Sequence, residues 1–394
     1  MICAWTALAL LALPGSAEAE PATPTTSWPL DEQHLNAGKV WQLSTGKGVT
    51  VAVVDSGVAA SHPGLDHQLL PGSSVLGDQS NGLSDTSPDS HGTSVAAVIA
   101  SSTANAGSGA PGLAKDSRIL PVRVTASGAA TPQNVAHGIA WAVDHGARVI
   151  NVSMGSDQPD PMLRKSVEYA IAKNVIVVAA AGNLGEQGNP AQYPAAFPGV
   201  VAVTGVNSSG EFWPPSESGN WVTLAAPAAD ISSTDSQGSP RTVAGTSYSA
   251  AYVAATAALL LERYPELTGH QAIQRIIDTT SQHHQKPDPK FGYGVVNPLQ
   301  ALTDTAPLPH NTRNPLLASK AIPAEASSPM TQVLVSTVAA FAALVAAGLG
   351  LITIIRRRRR THAPAGHPRG GPVHTHNASH RPRATATPKG RKRA

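Results

Sequence analysis

The chain has 394 residues, of which 41% are hydrophobic and only 13% charged, against about 25% charged in an average globular protein. It can therefore bury a large core, and its length suits two or three domains. The one cysteine, Cys3, excludes a disulfide scaffold and any cysteine-ligated zinc or iron–sulfur site. The net charge of +3 conceals an asymmetry: residues 356–394 carry twelve Lys/Arg and no acid, leaving 16 basic and 25 acidic side chains in residues 1–355. Basicity is a property of the tail. No nucleic-acid partner is expected, because the rest of the chain lacks the positive charge that phosphate binding demands.

In chain order, the apolar stretch Ile2–Leu13 runs into Pro14-Gly15 and then Ala17-Glu18-Ala19. Small residues flanking Glu18 suit signal peptidase, so residues 1–19 read as a signal peptide, although no basic residue precedes the apolar run. Residues 20–48 start Pro/Thr-rich and then carry Trp28, Leu30, Leu35, Val40 and Trp41, as in an arm that packs on a surface. Residues 49–305 alternate β-branched runs with small-residue helical runs. Strands are predicted at 49–54, 118–124, 149–153, 175–180, 200–204 and 222–225. Helices are predicted at 91–102, 132–145 and 161–173, with a longer one from about Ser247. Strands apolar on both faces and alternating with helices predict an α/β fold, a parallel sheet covered on both sides.

Residues 306–332 are Pro-rich and read as a stalk. Val333–Ile355 then gives 23 residues without a charge, about 35 Å as a helix, enough for a hydrocarbon core of about 30 Å. Arg356 to Arg360 follow at once and should stay on the cytoplasmic side. The chain is thus expected at the cell membrane with one span, residues 20–332 outside and 356–394 inside. The basic tail would attract an anionic membrane surface. Its histidines, His362, His367, His374, His376 and His380, read as part of a Pro/Gly/Arg segment and not as a metal site.

Three motifs carry possible chemistry. Val51-Ala52-Val53-Val54-Asp55-Ser56-Gly57 ends a buried strand with an acid; His91-Gly92-Thr93-Ser94 opens an apolar helix; Gly245-Thr246-Ser247-Tyr248-Ser249-Ala250 sets a serine at the start of another. Singly they could be a turn aspartate, a capping histidine and a capping serine. Together they have one of the chain orders that a nucleophilic triad can take. A serine hydroxyl is a poor nucleophile at neutral pH unless a base such as imidazole takes its proton, and a carboxylate can hold that imidazole's tautomer.

These motifs resemble those of the subtilisin-like serine proteases, as do His62-Pro63 and the segment Gly292-Tyr293-Gly294-Val295-Val296-Asn297, so the resemblance covers residues 49–303. It implies a subtilisin-like fold and a serine endopeptidase with Asp55, His91 and Ser247 as catalytic residues. It also implies Asn183, at the end of Val177–Asn183, as the side-chain donor of an oxyanion hole. A polypeptide substrate would lie as an extended strand along Ser153, Met154, Gly155 and Ser156, with Ala180, Ala181 and Gly182 as another pocket wall. No acid can be assigned to the pocket base from the sequence.

Trp41-Gln42-Leu43-Ser44-Thr45-Gly46-Lys47-Gly48-Val49, together with the leader, arm, stalk, span and tail, is similar to the mycosins, membrane-anchored subtilases of type VII secretion systems. That similarity implies a type VII secretion membrane complex as partner and a substrate or component of it to process. A structural subunit that braces the complex, and a general cell-surface degradative protease, remain open. Only 29 residues separate Ala19 from Val49, too few for an independent inhibitory domain. The sequence departs from the family at Ala251, where a proline is usual, and in having no ectodomain cysteine for a disulfide. No metal or other cofactor is expected, and Asp78, Asp85 and Asp89 read as a solvated loop.

Overall fold

The computed structural model describes residues 27–317, apart from 79, 103–109, 308–309 and 311–312. The expected signal peptide, transmembrane helix and basic tail lie outside the described residues, as does most of the stalk. No helix among the described residues is long and apolar enough to cross a membrane.

Seven strands form one sheet: β1 (Thr50–Asp55), β2 (Ser73–Ser74), β3 (Arg118–Arg123), β4 (Val149–Val152), β5 (Ile176–Ala180), β6 (Val201–Val206) and β7 (Leu224–Pro227). Their order is β2-β3-β1-β4-β5-β6-β7 and every pairing is parallel. A sheet of this kind needs apolar side chains on both faces. Val51 and Val53 point to one core with Val149, Val178 and Leu224, while Ala52 and Val54 point to the other with Ile150, Val177 and Ala202. Period-two alternation thus places every second side chain in a separate buried layer.

The helices divide between those layers. After the four-residue helix α1 (Ala37–Val40), α2 (His91–Ala100) and the long α5 (Thr246–Arg263) cover the first face with α6 (Gly269–Asp278) and α7 (Pro298–Thr303). The second face carries α3 (Pro132–Asp144) and α4 (Pro161–Ala172). Asp160 caps α4 by accepting from the Met162 and Leu163 N–H groups at 2.8 and 2.9 Å, and a proline opens each of α3 and α4, a position where its missing N–H costs nothing. Because β1 lies between β3 and β4, the chain order reverses there, and the crevice at the carboxyl end of β1 is where ligands bind in such sheets.

The predicted strands and helices agree with these elements to within two residues at almost every end. The elements not predicted are the short α1 and β2, the hairpin of β8 (Ile231–Thr234) and β9 (Pro240–Val243), and the helices α6 and α7, although α6 carries a helical pattern, with Ala272, Ile273, Ile276 and Ile277 buried behind a Thr268/Gln271 capping box. Folded contacts also run past the predicted domain end. Asn314 Nδ2 donates to Gly199 O at 2.8 Å and Leu316 is buried against α6.

The arm joins the first core. Leu30, Leu35, Ala37 and Val40 are buried in it, and Trp28 Nε1 donates to Ala229 O at 2.9 Å. Glu262, at the end of α5, clamps the turn that follows: its Oε2 accepts from Ser44 Oγ, Thr45 N–H and Gly46 N–H at 2.6, 2.8 and 2.6 Å. Deleting residues 20–36 removes two buried leucines, each contributing about 1.5–3 kcal/mol. The truncated chain should lose at least about 3 kcal/mol in denaturant unfolding; equal stability with higher activity would contradict an arm that is part of the core.

Candidate active site

The crevice is assembled around the start of α2. The first N–H groups of a helix have no partner within it, and here each is capped by a different side chain. His91 N–H donates to Ser87 Oγ at 2.9 Å, Gly92 N–H to Ser56 Oγ at 3.0 Å and Thr93 N–H to Asp85 Oδ2 at 2.9 Å. Asp85 ties these together. Its Oδ1 accepts from Ser56 Oγ at 2.9 Å and from Ser87 Oγ at 2.8 Å, and its Oδ2 accepts from Thr93 Oγ1 at 2.7 Å. A carboxylate at a helix N-terminus is also favoured by the helix dipole. Gly92 permits the close approach: a Cβ there would lie 2.2 Å from Gly57 O.

This corrects the expectation for the acidic loop. Asp85 is half-buried and holds the helix start, and Asp78 pairs with Arg123 at 2.6 Å. Asp89 stays exposed, its carbonyl accepting from Arg241 Nη1. The sequence spacing of the three acids carried no sign of these partners, which lie on other elements.

Held this way, His91 faces the end of β1. Its Nδ1 lies 2.8 Å from Asp55 Oδ1 and 3.1 Å from Oδ2. Asp55 is fully buried and also accepts from Ser56 N–H at 2.8 Å. An ionised carboxylate only accepts, so Nδ1 carries the proton and Nε2 is left to accept one. Burial alone would lower the ring's pKa, but the charge and hydrogen bond of Asp55, with Asp89 and Asp85 beyond, override it and push it up to about 9.

Ser247 is the second residue of α5 and is buried. Its neighbour Tyr248 lies near the ring: the Tyr248 and His91 ring centroids are 6.0 Å apart, and Tyr248 Oη donates to Ser94 Oγ at 3.4 Å. No hydrogen bond joins Ser247 Oγ to His91 among the described contacts.

Asn183 reaches the same helix start. Its Oδ1 accepts from Thr246 N–H at 2.9 Å and from Thr246 Oγ1 at 3.0 Å, which fixes the amide and leaves Nδ2 as its available donor. Tyr248 N–H is capped by Gly245 O at 3.1 Å. Between them, Ser247 N–H has no partner among the described contacts. Two N–H donors, Asn183 Nδ2 and Ser247 N–H, are thus uncommitted at one helix N-terminus, where negative charge is favoured.

The predicted substrate wall follows β4. Ser153 and Ser156 are half-buried and Gly155 is exposed, whereas Met154 is buried in the second core. Ser156 pairs with Tyr193, exchanging N–H···O bonds of 3.0 and 2.8 Å. On the other wall Ala180 and Gly182 are half-buried, and Gly182 N–H donates to Thr246 Oγ1 at 3.1 Å. Ala181 differs from expectation: its side chain is sealed in the second core, so it can offer only its backbone. Two residues beside these walls went unnoticed in the sequence, Gln192 and the buried Glu217. Neither lies in a motif, and only the fold brings them to the walls.

Since the proton on His91 is held by Asp55, its ring signal in an NMR titration should have a midpoint near 9. Asp55→Asn should move that midpoint down, toward or below the ordinary value of 6.5. An unchanged midpoint in the variant would mean that another group sets it.

Comparison with known proteins bears on the fold and the family. Residues 46–294 match the model of the subtilase family, peptidase S8. The thermophilic serine proteinase of Bacillus sp. (strain AK1) is 35% identical over 273 residues, covering 69% of this chain and 66% of that protein. The chain thus spans about two thirds of that relative's length. Mycosin-1 of Mycobacterium tuberculosis (strain ATCC 25618 / H37Rv) is 33% identical over 362 residues, covering 76% of this chain and 78% of mycosin-1. Among solved structures, MycP1 from Mycobacterium smegmatis superposes with a TM-score of 0.63 at 29% identity, covering 78% of this chain and 91% of that one. Another MycP1, described as an essential component of the type VII (ESX-1) secretion system, gives a TM-score of 0.62 at 32% identity, covering 73% and 90%. The chain belongs to the subtilase family of serine endopeptidases and is of the mycosin type.

Proposed function

We propose that this protein is a membrane-anchored, extracytoplasmic endopeptidase that works through Asp55, His91 and Ser247 and processes a substrate or component of a type VII secretion system. The observation that supports the catalytic part is the Asp55–His91 pair, its ring 6.0 Å from that of Tyr248, which follows Ser247 at a helix start with two uncommitted N–H donors. The similarity to mycosin-1 and MycP1 supports the secretion setting. The apolar runs at 1–19 and 333–355 and the arginines after Ile355 support the anchor.

In this reading a peptide lies extended beside Ser153–Ser156 and presents its scissile carbonyl to Ser247. Ser247 Oγ bonds to the carbonyl carbon as its proton passes to His91 Nε2, and the carbonyl π electrons move onto oxygen. That oxygen accepts from Ser247 N–H and Asn183 Nδ2, donors placed before charge develops. Buried Asp55 stabilises the imidazolium without taking its proton. Nε2 then protonates the leaving amine as the C–N bond breaks, and water repeats the cycle on the acyl-enzyme. Substrate binding must also bring Ser247 Oγ onto Nε2; such bonds are often long in unliganded enzymes.

A base must be neutral to act. With His91 titrating at about 9, kcat/KM for peptide cleavage should rise from neutral pH up to about that value and level off above it. A bell centred well below pH 7 would contradict this. Asn183→Ala should lower kcat about 10²–10³-fold with KM little changed; a loss of only a few-fold would show that the amide points elsewhere.

Labelling with a fluorophosphonate tests the nucleophile directly. The full chain should be tagged at Ser247, and Ser247→Ala should lose both the tag and about 10⁴–10⁶-fold of kcat. Secretion in cells carrying Ser247→Ala separates the proteolytic role from a bracing one: loss supports proteolysis, and normal secretion supports the brace.

A further inference from the structure

The two walls of the substrate cleft are bridged by one side chain. A Cβ built on Gly155 would come within 3.0 Å of Gln192 Oε1, and one built on Gly182 within 2.6 Å of Gln192 Cγ. Glu217 shares this space: its Oε2 would lie 1.9 Å from a Cβ on Gly182. The carboxylate therefore occupies the volume that a side chain at 182 would take, on the same side as Gln192. Its backbone is tied there too, with Glu217 N–H donating to Gly182 O at 3.2 Å.

Glu217 is fully buried, and neither carboxylate oxygen makes a hydrogen bond of ordinary geometry within the protein. Burial pushes its pKa up to about 7, with only partial opposition from the backbone N–H groups of Leu184 and Glu217 and from the Gln192 amide. A carboxylate taken out of water without a partner destabilises the fold, and a donor brought to it would relieve that cost. Leu184, next after Asn183, is 42% exposed and adds apolar surface at the rim. Two glycines that face one another across Gln192, with an acid behind them, suit a long aliphatic stem that ends in a cation and displaces the end of Gln192.

We propose that Glu217, with Gln192 beside it, is the specificity-determining residue of the pocket for the P1 side chain (that of the residue whose carbonyl is attacked) and selects a basic P1. This rests on the peptidase function proposed above. A P1 lysine would run its methylenes between Gly155 and Gly182 and place its ammonium at the Glu217 carboxylate. The opposite charge stabilises the ionised acid, and the resulting charge-assisted hydrogen bond is stronger than a neutral one. An apolar P1 of equal length leaves the carboxylate unpartnered, and an acidic P1 meets like charge. The far end of Gln192 is flexible and yields the room.

The test uses the full chain and peptidyl diphenyl phosphonates that differ only at P1, lysine against norleucine, which has the same stem without the ammonium. The lysine probe should label Ser247 about 10- to 100-fold faster. Glu217→Gln should bring the two rates together, read as the lysine-to-norleucine ratio within one preparation of the variant. Equal rates in the wild type, or a preference that survives Glu217→Gln, would overturn the proposal even though the fluorophosphonate still labels Ser247. Failure of the fluorophosphonate itself would instead remove the peptidase function. If Glu217→Gln does not fold, the wild-type ratio alone decides.

Discussion

The geometry of the crevice depends on the capping of α2. A ten-residue helix begins with N–H groups that have no internal acceptor, and three oxygens, from Ser87, Ser56 and Asp85, supply them. Because Ser56 follows Asp55 directly, the same contact that satisfies Gly92 N–H fixes the helix start against the end of β1. His91 then has little choice of position, and its Nδ1 meets a carboxylate that is itself shut away from water. The electrostatics follow from that placement: a buried negative charge against a ring raises the ring's affinity for a proton.

A second helix start is built by the same means with a different result. Asn183 Oδ1 caps Thr246, and Gly245 O caps Tyr248. The donor between them, Ser247 N–H, and the other end of the asparagine amide stay uncommitted. At α2 the orphan donors are all consumed and the helix serves as a fixed mount. At α5 the fold leaves one of them, Ser247 N–H, open together with Asn183 Nδ2, where a developing oxyanion can use both. The arm and Glu262 hold the opposite end of α5, so both ends of the helix that bears Ser247 are anchored.

Much of this was legible in the sequence because it is local. Val51, Val53 and Val149 alternate with Ala52, Val54 and Ile150 in strands that must be buried on both faces, and such runs show plainly. Asp55 ends a strand, His91 and Ser247 open helices, and Asn183 follows β5 by three residues, each within a recognisable motif. Asp85, Gln192 and Glu217 were missed because their roles come from contacts across the chain. Asp85 looks like any loop acid until Ser56 and Thr93 arrive, and Glu217 is an isolated acid in a turn until folding places it against Gly182. The β8–β9 hairpin was missed for a related reason. Its strands are short, and buried Ile231, Ser233 and Thr234 do not alternate cleanly with polar positions. Ala181 was read as part of a pocket wall from the motif alone; strand geometry turns its side chain into the core.

The proposed chemistry requires Asp55, His91, Ser247 and Asn183 to meet at one carbonyl. A structure of the protein with a peptide aldehyde tests it most directly. The expected complex has a covalent bond from Ser247 Oγ to the former aldehyde carbon, His91 Nε2 within hydrogen-bond distance of that centre, and the new oxygen accepting from Asn183 Nδ2 and Ser247 N–H. An inhibitor bound elsewhere, or an oxygen turned away from both donors, would contradict it.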